Sequence, residues 1–168
     1  MGLDMYLYRT KRIKDFNVSD YVKVDDVLGN LKEVPTTLED EIDDFKVEMD
    51  ILLTESHQPF LPYFRSYRIL KEVMYWRKAN AIHNWFVREC QNGIDECQMV
   101  EVSKDKLTNL INACENKTGL EPIAGFFFGS TDKDDYYYET LKETANSLKV
   151  LLEETNFDEE IIFYRSSW

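Results

Sequence analysis

The residues best suited to chemistry lie close together in EVMYWRKANAIHNWFVREC, residues 72–90, a stretch without glycine or proline. It holds Trp76, Arg77, Lys78, Asn80, His83, Asn84 and Trp85. An indole offers a stacking plane and one donor, an amide offers donor and acceptor, and an imidazole can move a proton near neutral pH. Together they suit a planar polar ligand or a peptide partner. The competing explanation is structural: Asn80 and His83 bonding neighbouring backbone at the edge of the core. A helix over roughly 76–90 places Ala79, Ile82, Trp85, Phe86 and Cys90 on a burying face. The same helix aligns Trp76, Asn80, His83 and Val87 as a second stripe, and Arg77, Ala81, Asn84 and Arg88 as a third.

Other candidates are scattered. Asp4 heads a strand face otherwise made of tyrosines, either as a carboxylate at a cleft rim or as a solvent-facing strand end. GFFFGSTD carries Ser130 between a glycine-bounded apolar run and a helix start. Its spacing matches neither the P-loop nor the dinucleotide fingerprint, and Asp132, Asp134 and Asp135 would repel a phosphate at that helix start. Asp95 and Glu101 open a two-carboxylate nuclease pattern that Ser103 fails to complete, since lysine is wanted there. Cys90, Cys97 and Cys114 provide neither a disulfide framework nor zinc-ligand spacing. Cys114 falls on a core face, and His57 stands without a nearby ligand partner. The expectation is therefore no metal, no cofactor, no complete catalytic set, and a protein that binds rather than catalyses.

The elements that must position these residues follow from periodicity. LDMYLYR at 3–9 alternates as a half-buried strand. DYVKV at 20–24 has the composition of a short strand. Thr36/Glu39 and Thr37/Asp40 each fit a capping box that opens a helix. Its apolar stripe is Leu38, Ile42, Phe45, Met49 and Leu52, and Glu39, Asp40, Asp43 and Asp44 form an acidic outer face. That face is solvated or docks a partner. TESHQPFLPYFRS at 54–66 reads as a loop. CQMVEV at 97–102 reads as a strand, and Ser103 caps a helix carrying Leu107, Leu110, Ile111 and Cys114. AGFFFG reads as a short buried strand. Ser130, Thr131 or Asp132 caps a helix with Tyr137, Leu141, Ala145, Leu148 and Leu152. EEIIFYR at 159–165 is the last strand.

This order predicts an α+β single domain over 1–168, with a small mixed or antiparallel sheet and about four helices mainly on one face. Residues 10–69 are the place for a variable or inserted element.

The chain has 168 residues, a formal net charge of −12, and 14% aromatic residues. Such acidity disfavours direct nucleic-acid binding, which needs clustered cations. There is no apolar run of membrane-spanning length and no secretory leader pattern, so a cytoplasmic location is expected.

MGLDMYL, EVMYWRKANAIHNWFV, QNGIDEC and GFFFGSTD together resemble a family of small proteins carried by bacteriophages and prophages and found in some bacterial genomes. The resemblance covers residues 1–9 and 70–168 and leaves 10–69 outside. It implies a phage-type accessory protein in a bacterial host, a setting where small acidic proteins act on host defence as stoichiometric inhibitors or as sponges for nucleotide signals. The leading expectation is a binding protein that meets a basic host surface through Glu39, Asp40, Asp43 and Asp44. The alternative is a small-ligand or nucleotide-binding domain, or an unassigned hydrolase, with a cleft among Asp4, Trp76, Arg77, Asn80, His83, Asn84 and Ser130. Oligomeric state is left open.

Overall fold

The computed structural model describes residues 2–29, 54–57 and 65–168. The acidic face of Glu39, Asp40, Asp43 and Asp44 lies outside them. The chain is an α+β protein with a four-stranded antiparallel sheet and, among the described residues, four helices. It forms two compact units, one of Met1–Arg9 with Glu72–Trp168 and one of Thr10–Lys71.

In the first unit the four-stranded sheet has the order β4 (Lys71–Arg77), β1 (Asp4–Lys11), β6 (Glu160–Ser167), β5 (Val100–Glu101). Strand β1 spans Asp4–Lys11. Leu3, Met5 and Leu7 are fully buried, whereas Asp4, Tyr6 and Tyr8 stay partly exposed, as period-two alternation requires. Strand β4 spans Lys71–Arg77, with Trp76 turned into the core and Tyr75 outward at 46% exposure. The expected helix over 76–90 is corrected here: Trp76 and Arg77 belong to the strand, and α2 covers Asn80–Cys90. The physical cause is Lys78. Its amide donates to Leu3 O at 2.8 Å, extending the attachment to the β1 end, and its φ of 56° breaks the path into a helix.

Helix α3 spans Lys104–Asn116, with the Ser103 side chain accepting from the Lys106 amide. Its buried residues are Leu107, Leu110, Ile111 and Cys114. Helix α4 spans Asp135–Glu154 and is capped by Asp134, not by Ser130, Thr131 or Asp132; the Asp134 carboxylate accepts from the Tyr137 amide at 3.0 Å. Leu141, Thr144, Ala145, Leu148 and Leu151 face inward. Strand β6 spans Glu160–Ser167 and directs Ile162 and Tyr164 into the same core. Helices α2, α3 and α4 share one hydrophobic cluster with Leu3, Met5, Leu7 and Trp76, so they cover one face of the sheet.

Two expected strands shrink. Only Val100–Glu101 of CQMVEV forms β5, paired antiparallel with β6. Cys97 takes a left-handed φ of 55°, and the Gln98 side chain bonds Ile94 O and the Glu96 amide, folding the preceding residues into a local loop. AGFFFG is a turn, closed by the Phe128 amide on Gly125 O at 3.1 Å. A β-carbon at Gly125 would lie 2.7 Å from the Phe128 ring, and Gly129 has a φ of 89°, so glycine is required at both ends. Phe126 is 96% exposed instead of buried.

The second unit contains α1, Val18–Gly29, where DYVKV suggested a strand. A reciprocal cap decides the matter: Asn17 Oδ1 accepts from the Ser19 amide at 2.9 Å, and the Asn17 amide donates to Asp20 at 3.0 Å. The expected loop at 54–66 contributes two strands, β2 (Thr54–His57) and β3 (Arg65–Arg68), paired antiparallel with Thr54 opposite Arg68. Asp25 is buried and fixes the end of β3, accepting from Arg68 at 2.8 Å and from the Ile69 and Leu70 amides at 3.0 and 3.1 Å.

Candidate functional site

The polar residues of 76–88 serve three separate environments. Trp76 is buried, and its Nε1 donates to Thr144 Oγ1 at 2.8 Å. Its ring meets Phe86 edge-on with centroids 6.0 Å apart. Trp76 is therefore a core residue with a satisfied donor.

His83 is 1% exposed and bonded at both nitrogens. Nδ1 lies 2.7 Å from the Tyr164 hydroxyl and Nε2 lies 2.9 Å from Asp95. A carboxylate only accepts, so Nε2 carries the hydrogen, leaving Nδ1 to accept from Tyr164. Burial lowers the His83 pKa below the ordinary 6.5, with Asp95 opposing, so the neutral ring is favoured. Burial also raises the Tyr164 pKa well above 10.0, which keeps its proton available as a donor. Phe86 stacks on Tyr164 at 3.9 Å, and Phe128 meets the imidazole edge-on at 5.1 Å. Asp95 also accepts from the Trp168 indole at 3.3 Å. The structural expectation for His83 gave it backbone partners; its partners are side chains from β6 and from the loop after α2.

A third set forms a row on α2. Asn80 donates to Phe128 O at 3.0 Å and Ser130 O at 2.7 Å, Asn84 donates to Glu121 O at 2.9 Å, and Arg88 donates to Gly119 O at 3.1 Å. Residues four apart share a helix side, so this row grips the 119–130 loop along its length. Tyr137 adds a bond from its hydroxyl to Leu120 O at 2.7 Å.

Beside this row, the β4–α2 turn and the start of α4 enclose a cavity of about 310 Å³. Arg77, Lys78 and Asn80 line one side, with Ser130, Asp132, Asp134, Tyr136 and Thr140 among the facing residues. Tyr136 ties the two sides together by donating to Arg77 O at 2.9 Å. The acids have internal partners: Asp132 accepts from the Ser130 hydroxyl at 3.1 Å, and Asp134 caps α4. The cations do not: among the described residues Arg77 and Lys78 form no ion pair, whereas nearby Lys133 holds Glu121 at 2.9 Å.

Of the seven residues singled out from the sequence, Arg77, Asn80 and Ser130 reach this cavity. Trp76, His83, Asn84 and Asp4 do not line it. Asp4 projects from the outer face of β1 and accepts from the Tyr75 hydroxyl at 2.5 Å, a bond that raises the Tyr75 pKa to about 12. Lys78, Tyr136 and Thr140 were not selected from the sequence. The only sequence signal for Lys78 is its place beside Arg77; Tyr136 and Thr140 carry no local signature.

Among the described residues, no group of His, Cys, Asp or Glu could hold a metal ion. Asp95 is engaged by His83 and Trp168, and Glu101 lies on β5 opposite Phe163. Burial pushes the Cys90 thiol up to about 11 and the Cys114 thiol to about 12, away from the thiolate needed of a nucleophile. No described helix is long and apolar enough to cross a membrane. Comparison with family models, with curated proteins and with solved structures gives no match.

Proposed function

We propose that this chain is a small-ligand-binding protein whose site is the cavity between the β4–α2 turn and the start of α4. One observation carries the reading: a cavity lined by both apolar and polar residues opens beside the gripped loop, with Lys78 and Thr140 among its lining. Its volume of about 310 Å³ matches the small end of ligand sites, and its mixture of apolar wall and a few polar groups is typical of them. Ala79, Ile82, Tyr137 and Leu141 supply the apolar wall. The reading is of binding without covalent chemistry, because the buried His83 and the protonated Cys90 and Cys114 offer no activated nucleophile or base at the cavity. Ligand-observed NMR with a fragment library on the full chain tests it. Binders should be lost in Thr140→Trp, which fills the space. If the same compounds bind Thr140→Trp equally well, the site lies elsewhere.

A second reading, stoichiometric inhibition of a host protein by a phage-type accessory factor in the bacterial cytoplasm, is favoured by the loop that α2 grips. Phe126 is 96% and Ile123 39% exposed on a segment held by Asn80 and Asn84. A rigidly presented aromatic is the kind of anchor that fills a partner's pocket. The net charge of −12 favours a basic counterpart. Affinity capture from host lysate with the wild-type chain and Phe126→Ser discriminates: the same partner recovered equally by both removes the role of this loop.

A further inference from the structure

We infer that the cavity takes a neutral, flat ligand that presents an N–H beside a C=O, as a lactam or a primary carboxamide does. The inference rests on the small-ligand reading above and adds the chemical class.

Hydrogen-bond accounting at the start of α2 points to it. The Asn80 amide donates to Lys78 O at 2.9 Å, and the His83 amide donates to Ala79 O at 3.0 Å. Between them, the amides of Ala81 and Ile82 have no acceptor among the described residues. First-turn donors of a helix are commonly met by a side-chain oxygen at the cap position. Ser103 and Asp134 do this for α3 and α4, whereas Ala79 at the cap of α2 has no side-chain acceptor. Ala81 and Ile82 are both buried, and both line the cavity.

Asn80 supplies an independent sign. It is 4% exposed and lines the same cavity. Its side-chain nitrogen donates to Phe128 O at 3.0 Å and to Ser130 O at 2.7 Å. Both partners are carbonyls, which only accept, so the orientation of the carboxamide is fixed and both of its hydrogens are spent. Its Oδ1 accepts from no group among the described residues. Side chains of a helix tilt toward its N-terminus, so this oxygen sits at the same end of α2 as the two open amides. An unanswered acceptor on a residue this buried costs free energy, as do two unanswered buried amides. A ligand carrying both an acceptor and a donor answers all three.

The complement is specific. One carbonyl oxygen has two lone pairs and can accept from Ala81 and Ile82 together, and an adjacent N–H is then available to Asn80 Oδ1. A carboxylate or phosphate would meet the amides but set another acceptor against Oδ1 and negative charge against Asp132 and Asp134 in the wall. Ile82, Tyr137 and Leu141 provide apolar and aromatic surface for the body of the molecule.

Isothermal titration of the full chain with isosteric probes tests the class. Carbostyril, a flat bicyclic lactam, is compared with coumarin, which has a ring oxygen where the lactam has N–H. Benzamide is compared with methyl benzoate and with benzoate. The lactam or the carboxamide should bind about ten-fold or more tightly than its donor-free analogue, which leaves a buried acceptor unmet. The preferred one of the two identifies the source of the N–H and C=O edge. Amide proton–nitrogen spectra should show the Ala81 and Ile82 signals moving downfield with the bound probe, and Thr140→Trp should abolish both effects. The comparison needs no variant at Asn80, whose loss would free the loop it grips. Three results would each overturn the inference and leave the cavity reading standing: donor-free analogues binding as tightly as their partners, benzoate binding more tightly than benzamide, or Ala81 and Ile82 signals that stay in place while a probe binds. Probe binding that survives Thr140→Trp overturns both. No binding by any probe overturns the inference, and the fragment screen then decides the cavity reading by itself.

Discussion

Helix α2 borders two polar regions that differ in one respect. Around His83 every polar group is answered from within the chain: Tyr164 donates to one nitrogen, Asp95 accepts from the other, and Trp168 donates to the remaining carboxylate oxygen. Just before the same helix, Arg77 and Lys78 border a cavity and form no ion pair among the described residues. A polar network that saturates itself accounts for its own residues through folding free energy. A polar cluster left open does not. Residue type alone would rank His83 above Lys78 as a functional group, and the proposed site reverses that order.

The sharpest way to break this comparison is to remove the imidazole. His83→Ala should destabilise the fold by about 3 kcal/mol, from a buried cavity plus two unanswered partners, measured by urea denaturation. Arg77→Ala should stay within about 0.5 kcal/mol, as exposed substitutions do. Equal costs for the two would erase the distinction. Next in size, Tyr164→Phe should cost about 1–2 kcal/mol by leaving Nδ1 without its donor, and Trp76→Phe about 1 kcal/mol through the bond to Thr144, both by the same measurement.

A smaller effect should appear with pH. The His83 pKa is lowered in the folded state, chiefly by burial, so below 6.5 the unfolded chain binds the extra proton more readily. Stability from this group is fully present above 6.5 and falls as the pH drops from there toward the lowered folded value. Unfolding curves across this window should show that slope, and His83→Gln should reduce it; an unchanged slope would mean that another group titrates. Thiol labelling at pH 8 gives the least perturbing test. Cys90 and Cys114, raised to about 11 and 12, should react slowly in the native chain and readily in denaturant.

Much of the first unit could be read from the sequence because its signals are local. Alternation around Met5 and Leu7, the Ser103 cap, and the Leu107–Leu110–Ile111–Cys114 face all depend on neighbours within a few residues. The errors came where a distant partner decides. Trp76 and Arg77 fit a helical stripe as well as a strand until Lys78 is seen donating to Leu3 O. AGFFFG has strand composition, but the required glycines at 125 and 129 and the amide of Asn80 make it a gripped turn. DYVKV is the exception: its strand propensity is overridden by a local cap at Asn17. For the candidate site, Arg77, Asn80 and Ser130 could be named from the sequence. Their separation from Trp76 and His83 could not, since it follows from where β4 ends.

The left-handed backbone at Lys78 has a consequence for protein engineering. Replacing it by glycine should relieve about 1 kcal/mol of strain and raise the unfolding temperature, while deleting one of the two cations at the cavity. A laboratory selection for heat resistance alone would therefore favour variants that give up this charge, so on the proposed small-ligand reading thermostability and affinity should evolve in opposite directions at a single residue.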